Sequence, residues 1–491
     1  AACGQTDSLE RLNDWLANWC AHNPCFQGPN WKCGQEASIR VLHLLLAARF
    51  LGQLDSPEPP LTRLVEAHLA RIRPALAYAM AQDNNHGTSE SAALFIGGAW
   101  CDRQGIEHGA RWSRTGRRWL ENRVARLIEP DGGFSQYSVN YHRLMLDTLS
   151  LAELWRRWND LPAFSGGFYQ RAKAATRWLR AMTDNASGDA PNLGANDGAN
   201  LLPLTDADYR DYQPAVHLAS TLFDEGGAYA EPGSHHDHVR WLGLQSAPAN
   251  AANTDTPERD AFHASGYIIV RNGPWKAVLR YPHYQFRPGH CDALHVDLWH
   301  GSTNVLRDAG SYSYNIEPEL AEYFTGAAGH NTIQFDGRQP MPRISRFLYG
   351  AWLRCNHLSG PEDGKIGMRA SASYRDWQGA QHRREIALAA DGLRVVDDVH
   401  GFSERAVLRW RLPPGNWRLE GSRAVGDLAD DNVSDVPRQH LLSIDASVKL
   451  SALRIVSGWE SRYYLKKEKV PVLEAEIEKP GQFRTEYRVI Q

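Results

Sequence analysis

GHCDALHVDLWHGSTNVLRDAGSYSYN, residues 289–315, is the stretch on which the fold turns. From Ala293 to His300 polar and apolar side chains alternate with the period of two that a strand requires. Val296 and Leu298 share one face, and His295, Asp297 and Trp299 share the other. Gly301–Ser302 then breaks the pattern and "TNVL" resumes it, which predicts a hairpin pairing His300 with Thr303 and, further along, His295 with Asp308. Val296 and Leu298 should point into a sandwich, while His290 falls ahead of the strand, before or within a bend. Histidines and aspartates so close together suit a zinc shell of nitrogen and oxygen ligands. They lack a compact HExxH spacing, however, and a satisfied polar strand face is the plainer reading.

Working outward, the chain reads as two halves. After about residue 255, "GYIIVRN", "WKAVLRY", "NTIQFDG", "REIALAADGLRVVDDV" and "AVLRWRLP" are short, rich in β-branched residues and often alternating. Many such strands joined by Gly-rich turns predict an antiparallel β-sandwich over 256–491. Upstream, "ASIRVLHLLLAARFLG", "LTRLVEAHLARIRPALAYAMA", "RWSRTGRRWLENRVARLIE" and "YHRLMLDTLSLAELWRRW" carry apolar residues at helical spacing. Turn-rich segments such as "SPEPP" and "EPDGGFSQ" separate them, so 1–255 should be helical hairpins packed as a bundle, solenoid or toroid. "QSAPANAANTDTPERD", residues 245–260, reads as the linker or an exposed loop.

Bulk properties narrow the function. At 491 residues two domains are expected, and 42% apolar with 23% charged residues excludes a disordered chain. No apolar run reaches the roughly 20 residues of a membrane helix. No basic and then apolar leader opens the chain, so a signal peptide is expected to be removed or absent. A net charge of −3 argues against general nucleic-acid binding, and an anionic substrate would need a locally basic cleft. The seven cysteines are an odd number; Cys20, Cys25 and Cys33 fit a disulfide in an oxidising compartment and equally fit free thiols. Seventeen tryptophans and eighteen tyrosines suit stacking on sugar rings, although such residues mostly fill cores.

Two further polar clusters lie in the helical half. In "DNNHGTSESA" (83–92), Asn84, Asn85 and His86 precede a helix that Thr88 or Ser89 would cap, with Glu90 nearby. Two carboxamides and an imidazole could also hydrogen-bond a carboxylate without adding negative charge. In "GGFSQYSVNYHRLMLD" (132–147), Asn140, Tyr141, His142 and Arg143 open a helix with an apolar face of Leu144, Leu146, Leu149 and Leu151. Positive neighbours would lower the phenolic pKa of Tyr141 and make it a proton carrier near neutral pH.

Together these segments resemble the heparinase II/III-like polysaccharide lyases. The resemblance runs through "GPNWKCGQEASIR" (28–40), "NNHGT" (84–88) and "SVNYHRLMLD" (138–147), and is strongest in residues 289–315 and "AAGHNTIQFDGRQ" (327–339). It implies an N-terminal incomplete (α/α) toroid followed by a C-terminal antiparallel β-sandwich. It also implies β-elimination on a uronic-acid-containing anionic polysaccharide, leaving an unsaturated uronate end. By the same resemblance Tyr141 is the proton carrier, and Asn85 and His86 neutralise the substrate carboxylate. His290, Asp308 and His330 form the shell of a divalent metal, expected to be a structural Zn²⁺. This shell takes His290 where the hairpin register favours His295.

One departure concerns the base. Several relatives have a histidine two residues before the first metal ligand, where this chain has Pro288. Tyr141 then makes both proton transfers, or His86, His142, His295 or Tyr314 replaces the missing group. Arg143, His142, Tyr314 and Arg346, with Arg343, are candidates for binding substrate. The alternatives are an (α/α)-barrel hydrolase, which would draft two carboxylates from Asp131, Glu90 and Asp197, and a non-catalytic glycan-binding protein of polysaccharide synthesis or export. The substrate class implies a periplasmic or secreted bacterial location, with no nucleic acid and no membrane span; nothing in the sequence fixes the oligomeric state.

Overall fold

The computed structural model describes residues 6–224, 226–245, 257–430 and 434–490. Most of the proposed linker, residues 246–256, lies outside them. The chain divides into two compact units, Ala1–Glu129 with Leu144–Lys173, and Pro130–Arg143 with Ala174–Gln491. Among the described residues, no helix is long and apolar enough to cross a membrane.

The first unit is helical: α1 (Thr6–His22), α2 (Gly34–Phe50), α3 (Pro59–Ala81), α4 (Asn85–Arg103) and α5 (Gly109–Leu127), with most of α6 (Val139–Trp158). Val65, Leu69, Ile72 and Leu76 of α3 repeat at helical spacing and are all buried. The α4 and α5 backbones touch, because glycines remove the side chains that would keep them apart. A Cβ on Gly116 would sit 2.2 Å from the Phe95 amide nitrogen, and one on Gly98 2.4 Å from that of Ser113. The leucine face foreseen for α6 is buried at Leu144, Leu146, Leu149 and Leu151. Asn84, not Thr88 or Ser89, caps α4, its side chain accepting from the His86 amide at 3.1 Å. Asn85 and His86 are therefore the first helical residues and not part of the preceding turn.

In the second unit the α6 N-terminus is followed by the end of α7 (Gly166–Met182), then α8 (Gln213–Phe223) and α9 (Asp237–Trp241), and from Arg259 onward by strands. Among the described residues, every pairing between strands is antiparallel, with one isolated parallel bridge between Gly310 and Ser461. The first sheet runs in chain order: β1 (Arg259–Phe262), β2 (Tyr267–Asn272), β3 (Trp275–Arg280), β4 (Val296–His300) and β5 (Thr303–Leu306). A larger sheet of eight strands and one of four complete the layers. One continuous core joins Ile268, Leu279, Val296 and Leu298 of the first sheet to Ile386 and Phe483 of the second and to Leu408 and Leu473 of the third.

The 289–315 hairpin forms as read, with Gly301 at φ +57° in the turn and His300 opposite Thr303. Its far end differs. The register shifts after Trp299–Asn304 so that Leu298 faces Leu306, a bulge that adds one residue to β5. His295 and Asp308 consequently lie beyond the ladder and are not a cross-strand pair. Asp297 and Trp299 do share the face opposite the core, where the Asp297 carboxylate accepts from the Trp299 indole at 2.5 Å and the Asn304 amide at 2.6 Å. The six cysteines of the described residues are all free thiols, Cys20, Cys25 and Cys33 among them.

Candidate active site and metal centre

Two neighbouring clusters in the second unit gather most of the sequence candidates. The first is built on the α6 N-terminus. Ser138 caps the helix, its hydroxyl accepting from the Tyr141 amide at 3.1 Å and donating to the Ala195 carbonyl at 2.5 Å. The Val139 amide donates to the Leu193 carbonyl at 3.2 Å, so the 193–197 loop lies along the start of the helix. Gly194 makes this approach possible. It sits at φ +77°, and a Cβ there would stand 2.3 Å from the Tyr137 carbonyl.

The approach brings together residues 56 positions apart: the Tyr141 hydroxyl donates to Asp197 Oδ2 at 2.9 Å. The Tyr314 hydroxyl lies 2.9 Å from the same Tyr141 oxygen. Asp197 Oδ1 accepts from the Ala199 amide at 3.0 Å, which fixes the carboxylate plane. Contrary to the sequence expectation, the Tyr141 phenol is held well above its ordinary pKa, first by burial and then by Tyr314 and Asp197. The nearby cations are turned to other work. Arg143 is buried, donating to the Tyr209 carbonyl at 2.6 Å and to Asn140 Oδ1 at 3.1 Å while its guanidinium packs on the Tyr209 and Tyr212 rings. His142 is fully buried, bonded to the Ala175 carbonyl at 2.8 Å and stacked on Trp178, with its pKa pushed down to about 4 by burial. His142 is thus turned toward Trp178 and Arg143 toward Tyr209, where Arg143 braces the network behind Tyr141. Tyr209 continues that network, its hydroxyl reaching Asn140 Oδ1 at 2.6 Å and Asn196 Oδ1 at 2.8 Å.

On the outer side the Tyr314 ring meets Phe347 edge-on with centroids 5.2 Å apart. Phe347 belongs to a small hairpin, Arg343–Ser345 with Leu348–Tyr349, that also presents Arg346. Arg346 is exposed and donates to Asn315 Oδ1 at 2.7 Å.

The second cluster is His290, Asp308 and His330, all buried, each offering a ligand atom within 4.8 Å of the others. His290 lies in a bend before β4, Asp308 just past β5, and His330 after the Ala327–Gly329 turn. His330 Nδ1 donates to Asp308 Oδ2 at 2.6 Å. His290 Nδ1 and His330 Nε2 are buried with no protein partner. Burial pushes the Asp308 carboxyl up, but His330, His295 and His290 outweigh it and hold the group far below the ordinary range. Two buried imidazoles and a carboxylate with ligand atoms this close fit a divalent cation with a nitrogen–oxygen preference. His295, the rival on the hairpin register, comes within 3.6 Å of Asp308, but its Nδ1 accepts the Asn331 amide at 2.9 Å. With Nδ1 engaged in that bond, His295 falls outside the ligand set formed by His290, Asp308 and His330.

Ser311 joins the two clusters. Its hydroxyl accepts from the Asn196 amide at 3.1 Å, donates to the Gly194 carbonyl at 3.0 Å and lies 3.4 Å from His290 Nε2. Of the remaining candidates, Asp131 is occupied in a loop, accepting from the Ser265 amide at 3.0 Å and from the Ser265 hydroxyl. In the first unit, His86 Nδ1 stands 3.6 Å from the buried Glu90 carboxylate, and Asn85 is buried. Sequence reasoning placed Asp197 only in a rival reading and passed over Asn196, Tyr209 and Ser311. For Asn196 and Asp197 the one signal was the Gly/Asn-rich "PNLGANDGAN" (191–200), which reads as turn chemistry until the fold lays it beside Tyr141.

Comparison with known proteins agrees with this architecture. Residues 254–474 match the family model of the heparinase II/III-like C-terminal domain. A crystal structure of heparinase III superposes with a TM-score of 0.71 at 17% identity, over 99% of this chain and 74% of that one. The heparan sulfate lyase of Pedobacter heparinus gives 0.64 at 16% identity, covering 97% and 72%. The chondroitin AC lyase of Streptomyces coelicolor A3, solved with chondroitin sulphate, gives 0.57 at 12% identity, covering 94% and 68%. No curated protein matches at the level of sequence. Residues 254–474 thus match the heparinase II/III-like C-terminal domain, and the fold of the chain, helices as in an incomplete (α/α) toroid followed by an antiparallel β-sandwich, is the one seen in heparinase III.

Proposed function

We propose that this protein is a polysaccharide lyase that cleaves a uronic-acid-containing anionic polysaccharide by β-elimination. The observation that carries the reading is the Tyr141 hydroxyl, set at a helix start and bonded to both Asp197 and Tyr314. The fold neighbours named as lyases of heparan and chondroitin polymers supply the reaction class. In such a reaction the proton α to the uronate carboxyl is removed, the C4–O bond breaks and a C4=C5 double bond forms. Charge builds on the carboxylate, so donors that carry no negative charge lower the barrier. Asn85 and His86 take that role by resemblance, and Tyr141 handles the proton on the departing O4. A phenol with a raised pKa keeps its proton at neutral pH, which suits the acid half of the cycle. Tyr314 and Arg346 are the assigned substrate contacts. A substrate of this class places the protein in the periplasm or outside a bacterial cell.

A glycosidase would need two carboxylates flanking the bond. Asp197 is bonded to the Tyr141 phenol and Asp131 is committed to Ser265, which favours elimination. Incubation with a panel of uronate polysaccharides should give an ultraviolet-absorbing product. New reducing ends without that absorbance would establish hydrolysis instead, and binding without cleavage would establish a glycan-binding protein.

We assign the ion of the His290–Asp308–His330 shell as structural Zn²⁺. When bound it neutralises Asp308 and ties together three separate segments of the sandwich. Protein purified without added metal should contain about one zinc per chain by elemental analysis. His330→Ala should lower the melting temperature more than it alters KM. Metal-free protein with unchanged melting would remove the ion from the account.

A further inference from the structure

The proton cycle of Tyr141 needs a partner that the resemblance does not supply. At the position where several relatives have a histidine, Pro288 has no side-chain proton acceptor. His142 and His295 are completely buried, the first bonded to the Ala175 carbonyl and the second to the Asn331 amide, and neither is among the hydrogen-bond partners of Tyr141. Tyr141 cannot serve as a standing tyrosinate either, because burial, Tyr314 and Asp197 all favour its neutral form. To take a proton from carbon, the phenol must first lose its own.

The geometry shows one acceptor for it. The Tyr141 hydroxyl donates to Asp197 Oδ2 at 2.9 Å, and the other Asp197 oxygen holds the Ala199 amide at 3.0 Å. Among the described residues no arginine, lysine or histidine is ion-paired with Asp197, so its charge is not already spent on a cation. Tyr314, 2.9 Å from the Tyr141 oxygen, is placed to donate to that oxygen as it loses its proton. Among the described residues, the other titratable groups acting on the trio are Tyr209 and Tyr464, both phenols, with Tyr212, Arg143 and Arg210 behind Tyr209. The loop holding Asp197 is fixed from two sides, by Ser138 at Ala195 and by Ser311 at Gly194 and Asn196.

We propose that Asp197 is the proton acceptor that allows Tyr141 to act as both base and acid, with Tyr314 donating to the transient phenolate. The step rests on the lyase reading and balances within the site. The phenolic proton passes to Asp197 as the Tyr141 oxygen takes the uronate C5 proton. The C5–H electron pair forms the C4=C5 bond, and the C4–O pair leaves on O4. Tyr141 gives the proton it took to O4 and regains its own from Asp197, so carboxylate and phenol return to their starting states. Both transfers occur on one face of the sugar, which makes the elimination syn.

The test is Asp197→Asn in the full chain. Asparagine keeps an oxygen for the Ala199 amide, so the loop retains its anchor. At neutral pH kcat should fall about 100-fold or more with KM within about twofold. Activity should recover as pH rises and hydroxide replaces the lost acceptor, moving the acid limb of the pH profile upward. Asp197→Glu, which restores a carboxylate, should be at least about tenfold more active than the asparagine variant. Should Asp197→Asn fail to fold, Asp197→Ser takes its place in the same comparison. A folded Asn or Ser variant with the wild-type kcat and pH profile, or one as active as Asp197→Glu, would overturn the relay while leaving the lyase reading intact. Wild-type protein that yields no ultraviolet-absorbing product from any uronate polymer would overturn the lyase reading itself.

Discussion

Ser311 has one hydroxyl and three neighbours that depend on it: the Asn196 amide, the Gly194 carbonyl and the edge of His290. Removing it leaves a buried donor and a buried acceptor unmatched at the base of the loop that carries Asp197. Ser311→Ala should therefore cost about 1–3 kcal/mol in a urea denaturation. It should also lower kcat, because Asp197 would lose its fixed distance to Tyr141; an unchanged midpoint and unchanged kcat would deny Ser311 a linking role. At this scale the sequence showed the residues that carry chemistry but not their company. Tyr141 stood out in a short polar run, whereas the grouping of His290 with Asp308 and His330 came through the resemblance and against the hairpin register. Asp197, 56 positions from its partner, was not, since only the folded loop brings it there. The inference of a lowered Tyr141 pKa failed for a related reason. Adjacent residues on a helix point to different sides, so His142 turns to Trp178 and Arg143 to Tyr209, away from the phenol.

At the scale of elements, the contact of α4 with α5 depends on the absence of side chains. Gly116→Ala would force a Cβ to 2.2 Å from the Phe95 amide and 2.6 Å from the Ser91 carbonyl, both backbone atoms that cannot rotate away. The loss should be about 3 kcal/mol or more by chemical denaturation, whereas Gly167→Ala in α7, where an added Cβ meets nothing within 4 Å, should cost nothing. A Gly116→Ala protein with wild-type stability would show that the two helices do not approach so closely. The helices themselves were readable from apolar spacing, yet this close crossing was not, because a glycine in a helix signals weakness until its neighbour is known. The 289–315 hairpin shows the same division. Its turn and faces followed from the period-two pattern, while the bulge that moves Asp308 out of register left no mark in the sequence, since β-branched residues suit either register.

For the molecule as a whole, the change from helical to strand periodicity was plain because each half repeats its own pattern many times. The compact units were less plain: residues 130–143 group with the sandwich although the helix they begin continues into the first unit. That grouping puts Tyr141, Asp197, Tyr314 and the metal-ligand set in a single unit, and the account stands or falls on what that unit does to a uronate polymer. The direct measurement compares unsaturated ends with new reducing ends, in wild-type protein and in Tyr141→Phe, on the polymer cleaved best. The account predicts equal numbers of both in the wild type, and in the variant a rate lower by about 10²–10⁴-fold with melting unchanged. Reducing ends that outnumber unsaturated ends, or a Tyr141→Phe protein that cleaves at the wild-type rate, would contradict it.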